Sequence, residues 1–97
     1  MRQYELMGIL DPTLSDEDRT ALLAEIDSEL AENGLKKVSQ DMWGVRDFAY
    51  KIRGSATGYY FLYVLEGDGQ GIIPVTKLFN LKKNFWRFVF VRLDDGE

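Results

Sequence analysis

Four stretches alternate apolar and polar residues, and two repeat apolar residues at helical spacing, in the order β-α-β-β-α-β. That order predicts an α+β, ferredoxin-like sandwich. Its four-stranded antiparallel sheet carries two helices on one face, with strand one beside strand three in the middle. Ninety-seven residues are one domain's worth of chain, expected to bury roughly 60–70% of the unfolded surface. The domain is expected to span residues 1–93, with 94–97 as an acidic tail.

Each element has a local reason. Tyr4, Leu6, Gly8 and Leu10 alternate in a first strand over 2–10, which Asp11-Pro12 stops. Ser15, with Leu14 before it and Asp18 three residues on, starts a helix over about 16–32. Leu22, Leu23, Ile26 and Leu30 form its apolar stripe, and Asn33-Gly34 ends it. Residues 35–42 and 45–52 read as one long strand with a bulge at Trp43-Gly44. Residues 53–57 read as a turn, and 58–66 as the returning strand. Ile72, Val75 and Phe79 mark a helix at about 70–80, where Pro74 is tolerable only in the first turn. Residues 84–93 are the last strand.

The composition excludes several chemistries. There is no Cys and no His, so there is no disulfide framework or thiolate site, and the commonest general base and metal ligand are missing. No apolar run approaches the ~20 residues of a membrane span, and Met1–Leu10 is not a basic start followed by an apolar core, so a soluble cytosolic chain is expected. The net charge of −4 is unevenly spread. Residues 1–34 hold nine acids against Arg2 and Arg19, whereas 35–93 hold ten bases against Asp41, Asp47, Glu66 and Asp68. An acidic helix beside a basic remainder permits a polyanion on one side.

Two motifs fail. The loop GDGQG lies between a strand and a helix, but Ile72 and Pro74 stand where a phosphate loop needs glycine, and no Walker lysine follows. Asp16, Glu17 and Asp18 are consecutive on a helix, so they diverge; complementing the helix dipole explains them. No base–nucleophile pair is visible, and an enzyme is not expected.

The aromatic residues carry more. With a turn at 53–57, Tyr50 is expected opposite Tyr60, Phe48 opposite Leu62, and Arg46 opposite Val64. Leu6, Gly8, Phe61, Tyr63, Leu65, Phe88 and Phe90 then meet the helices, below Leu23, Ile26, Leu30, Ile72, Val75 and Phe79. That leaves Met7, Ile9, Phe48, Tyr50, Tyr60, Leu62, Val89 and Val91 on the open face, rimmed by Arg46 and Arg87. A solvent face should be polar, so an apolar patch with a basic rim points to a partner.

The opening MRQYEL, the segments WGVRDFAYKI and GYYFLYV, and the closing NFWRFVFVRL resemble the bacterial small-subunit ribosomal protein S six (S6) family. The likeness runs from Met1 to about Leu93. The matching positions are Arg2, Tyr4, Glu5, Gly44, Arg46, Ala49, Tyr50, Ile52, Gly58, Tyr59, Arg87 and Arg92. The resemblance implies the same fold, no catalysis and no cofactor. It also implies binding to the central domain of small-subunit rRNA jointly with ribosomal protein S eighteen (S18), in the cytoplasmic ribosome. On this reading Arg2, Arg46, Arg87 and Arg92 face RNA, and Phe48, Tyr50, Tyr60 and Leu62 face the partner protein. Asp47 stands where the family commonly has a base, Lys51 where it often has Pro, and Phe48 where it has Leu; Pro74 falls within the second helix. The competing reading is a stand-alone ligand-binding or regulatory module that dimerises through its sheet.

Overall fold

A computed structural model describes residues 2–93; the acidic tail at 94–97 lies outside the described residues. The elements run β1 (Arg2–Leu10), α1 (Asp16–Glu32), β2 (Leu35–Ile52), β3 (Ser55–Gly67), α2 (Ile72–Asn80) and β4 (Phe85–Arg92), with a 3-10 turn at Gly69–Gly71 leading into α2. The sheet order is β2-β3-β1-β4, and every pairing is antiparallel. This is the ferredoxin-like sandwich, with strands one and three at its centre.

Local chemistry sets the boundaries. The Ser15 side chain accepts the Asp18 N–H at the start of α1. At its end, the Asn33 and Gly34 N–H groups return to Leu30 and Ala31 carbonyls. Pro74 is the third residue of α2, where its missing N–H is one the helix could not have bonded. The glycines of GDGQG have a packing reason. A Cβ on Gly71 would strike the Asn33 carbonyl, and one on Gly67 the Gly34 carbonyl. The loop is therefore pressed against the turn between α1 and β2.

Leu6, Phe61, Tyr63 and Leu65 meet Ile26, Leu30, Val75 and Phe79 in the core. Leu23, Ile72, Phe88 and Phe90 pack against it half-buried. Tyr4 and Leu10, which alternate with Leu6 along β1, also belong to the core, as do Leu35 and Phe85, which the alternation did not single out. A Cβ on Gly8 would collide with the Phe61 ring, so the glycine makes room for that ring across the sheet.

The β2–β3 hairpin corrects the expected register. Arg46 lies opposite Gly58, not Val64, and Tyr60 lies opposite Gly44, not Tyr50. The turn is only Arg53-Gly54, both at positive φ (52° and 78°), with Ile52 paired to Ser55. Two residues at positive φ suit the tight hairpin turn whose twist matches its strands. Residues 55–57 therefore join β3. Between Gly44 and Asp47 the slide is six residues, an even number, so Arg46 keeps its face; beyond the bulge at Trp43 it is seven, which brings Asp41 and Ser39 opposite Leu62 and Val64. The arm beyond Tyr59 pairs with β2 alone and lengthens the molecule to 39 × 25 × 21 Å.

Lys82, after α2, ties that end of the fold to α1. Its Nζ donates to Glu25 at 2.6 Å and Glu29 at 2.9 Å, and its side chain is only 10% exposed. Burial works against its charge, but the two carboxylates outweigh it and raise the pKa above the ordinary lysine value. A raised folded pKa gives stability that is present below the unfolded lysine value, about 10.4, and lost as pH rises through the folded one. The stability gap between the native chain and Lys82→Met is therefore expected to hold at neutral pH and to close in strong alkali. Denaturant melts from pH 7 to 12 check this, and a gap that narrows already below pH 9 contradicts it. Burial and the Asp27 carboxylate push the Tyr63 phenol up as well, an effect common to both chains.

Candidate protein and RNA interface

The sheet face away from the helices is built of cross-strand rows. One row runs Val89–Met7–Leu62–Asp41, and the next Arg87–Ile9–Tyr60–Gly44. Val91, Glu5, Val64 and Ser39 form a third. Val89 and Val91 are exposed, while Met7, Tyr60 and Leu62 are half-buried. The middle of the face is thus apolar without a helix over it.

The register shifts between Met42 and Gly44, and Gly44 adopts φ 81°. This bulge swings Trp43 onto the open face, where its ring stacks on Tyr60 at 6.4 Å and 16°. Phe48 tilts against the other side of Tyr60 at 5.9 Å. A Cβ on Gly58 would sit 2.5 Å from Phe48 and 2.6 Å from Ile9. That glycine is therefore the floor on which Phe48 and Ile9 converge, and Ile9 is left only 9% exposed despite facing away from the helices. Arg46 donates from Nε to the Trp43 carbonyl at 3.2 Å and lies 5.8 Å from the Trp43 ring centre. The indole N–H donates to Asp41 at 2.9 Å.

Phe48, Tyr50, Tyr60 and Arg87 line one hollow of about 250 Å³, together with Ile9 and Asp47. Tyr50, on the projecting arm, is 74% exposed. Leu62 sits one row away beside Met7. The four arginines do not gather. Arg46 and Arg87 share the open face at the arm end, whereas Arg92 pairs with Tyr4 and Arg2 with Gly67, at the opposite end and on the helix side of the strands. Arg92 lies five positions along β4 from Arg87, about 17 Å at the rise of a strand.

Trp43 is the residue the sequence reasoning missed. Gly44 marked the bulge, but plain alternation does not say which way a bulged side chain turns. Tyr63 and Lys82, whose pKa values are raised, are both away from the open face. Among the described residues no cluster of three acids could hold a metal ion, and no helix is long and apolar enough to cross a membrane.

The sequence profile of the family described as Ribosomal protein S6 matches residues 3–92. The chain is 33% identical over 94 residues to the small ribosomal subunit protein bS6 of Fusobacterium nucleatum, spanning 97% of this chain and 100% of that one. Against bS6 of Thermoanaerobacter pseudethanolicus it is 33% identical over 95 residues, spanning 98% and 100%. The crystal structure of 30S ribosomal protein S6 from Thermotoga maritima superposes with a TM-score of 0.89 at 26% identity, over 94% of this chain and 86% of that one. The C-terminal domain of the MgtC protein from Mycobacterium tuberculosis gives a TM-score of 0.62 at 9% identity and shares the fold alone. The fold by itself therefore names no role.

Proposed function

The chain belongs to the ribosomal protein S6 family, and from that premise we propose that it binds the central domain of small-subunit rRNA jointly with ribosomal protein S18, as a structural and non-catalytic component. A protein of this family is part of the small ribosomal subunit and works in the cytoplasm, on the ribosome. The observation that carries the joint-binding reading is the uncovered apolar centre of the sheet, bordered at one end by Arg46 and Arg87. An apolar centre with a charged rim is the anatomy of a protein interface. Arg46 and Arg87 can reach phosphates beside it, since arginine binds phosphate with paired donors.

Charge explains why the partner is needed. The whole chain carries −4, and few of its cations share one surface, so few counterions are released when it meets RNA alone. A rRNA central-domain fragment is therefore expected to bind the isolated chain weakly. With S18 added, binding becomes tight and falls steeply with salt. Gel-shift titrations over a salt series, with and without S18, make the measurement. Nanomolar binding by the isolated chain at physiological salt contradicts joint binding. Light scattering that finds a stable dimer undisturbed by S18 favours the self-associating module instead.

A further inference from the structure

A groove stays open on the helix side, away from the sheet face of the proposed function, and we infer that it docks a basic amphipathic segment of another protein. It measures about 590 Å³ and runs between α1 and the end of α2 with the loop that follows. Its apolar wall is Leu14, Leu22, Leu78 and Leu81. Leu81, just past the end of α2, is 81% exposed and stands at the groove beside Leu14, Leu22 and Leu78, so the four make one apolar strip rather than a scattered side chain.

Charge selects the occupant. α1 carries seven acids, from Asp16 to Glu32, and Arg19 as its one base. Asp18, Glu25 and Glu29 line the groove itself. Lys82 in the groove is already held by Glu25 and Glu29, and Glu29 Oε1 is buried with no hydrogen-bond partner. Lys83 is the other base in the lining. With Asp18, Glu25 and Glu29 against Lys82 and Lys83 the lining keeps a net charge of −1, beneath a helix of seven acids and one base, which disfavours RNA phosphate; a second copy would bring the same acidic helix with it. A segment with leucine-like residues on one face and Lys or Arg on the other satisfies both the apolar floor and the acidic helix. In the small subunit the helix side would then face away from RNA, open to a basic protein.

The test uses the full chain, labelled with ¹⁵N, and a synthetic helical peptide of Leu and Lys. Amide shifts are expected to fall on the groove residues and to saturate. The same peptide with Glu for Lys is expected not to bind. Leu81→Gln, which alters a side chain already in solvent and so keeps the native melting curve, is expected to weaken binding about tenfold, as loss of one anchoring side chain does. Phe48→Ala, on the other face, is expected to leave it unchanged. Binding that ignores Leu81→Gln and vanishes with moderate salt shows general attraction to an acidic surface and overturns the inference. So do shifts on the sheet face, or concentration-dependent shifts in the groove without peptide, which assign it to a second copy. None of these readouts involves S18 or RNA, so they stand or fall apart from the joint-binding reading.

Discussion

Phe79→Ala is expected to lower the folding free energy by about 3–5 kcal/mol, the range for deleting a buried aromatic ring. Phe79 is fully buried, and its ring lies 5.0 Å from Phe85, 5.3 Å from Phe88 and 6.3 Å from Phe90. One side chain of a nine-residue helix thus holds three rings of β4. Such ring pairs add about 0.5–1.5 kcal/mol each beyond the area they bury. The short α2 would not stand alone in water, so removing its anchor also loosens the helix. Ile26→Ala, on the longer α1, is expected to cost about 2–5 kcal/mol by the same cavity argument; Ile26 is likewise fully buried. Chemical denaturation of both variants gives the values. A loss below about 0.5 kcal/mol in either, the size of an ordinary surface change, means that the helix face is wrongly assigned.

These core assignments were legible because they depend only on period. Ile26 and Leu30 recur at helical spacing, and Phe61, Tyr63 and Leu65 at strand spacing, so each side chain's direction follows from its neighbours. Register was not legible. It depends on where the chain turns, and Arg53, a residue that does not favour positive φ, occupies the first turn position. The eye lengthens such a turn to the next small residues, and the pairing slides. The face of Arg46 survived because the slide between Gly44 and Asp47 is even. Trp43 shows the other limit: a bulge breaks the two-residue period, and the side chain at the break belongs to whichever face the geometry gives it. Leu35 and Phe85 stand at strand starts, where too few neighbours remain to establish a period. As for the site, Phe48, Tyr60 and Leu62 were placed on the open face by parity alone. The scatter of the four arginines to two ends of the sheet needed the strand pairing.

Charge segregation links the two faces. The acids concentrate on α1, while Arg46 and Arg87 are on the opposite side of the sheet. A small negative protein can therefore sit against a polyanion if it presents the sheet and turns its helix away. The short-range attraction at the sheet is less screened than the repulsion from a helix a domain's width distant, since screening acts within about 8–10 Å at physiological salt.

Phe48→Ala and Leu62→Ala are expected to weaken S18 binding by about 2 kcal/mol if either is an anchor of the interface, while leaving the helix-packed core in place. Both side chains are on the open face: Phe48 against Tyr60 and Ile9, Leu62 between Met7 and Asp41. Stability falls less, by roughly 0.2–1 kcal/mol for each cross-strand pair that the truncation breaks. Phe48→Ala is the costlier of the two for folding, because its ring also shields Ile9. Arg46→Ala differs in kind. It removes a charge at the rim, so its loss of affinity shrinks as salt rises, whereas the two apolar losses do not. Calorimetric titration of each variant with S18 at two salt concentrations, beside its own unfolding curve, separates these effects. Unchanged affinity in both apolar variants refutes the docking assignment. Collapse of folding in Leu62→Ala would put that side chain in the core and contradict its place between Met7 and Asp41 on the open face.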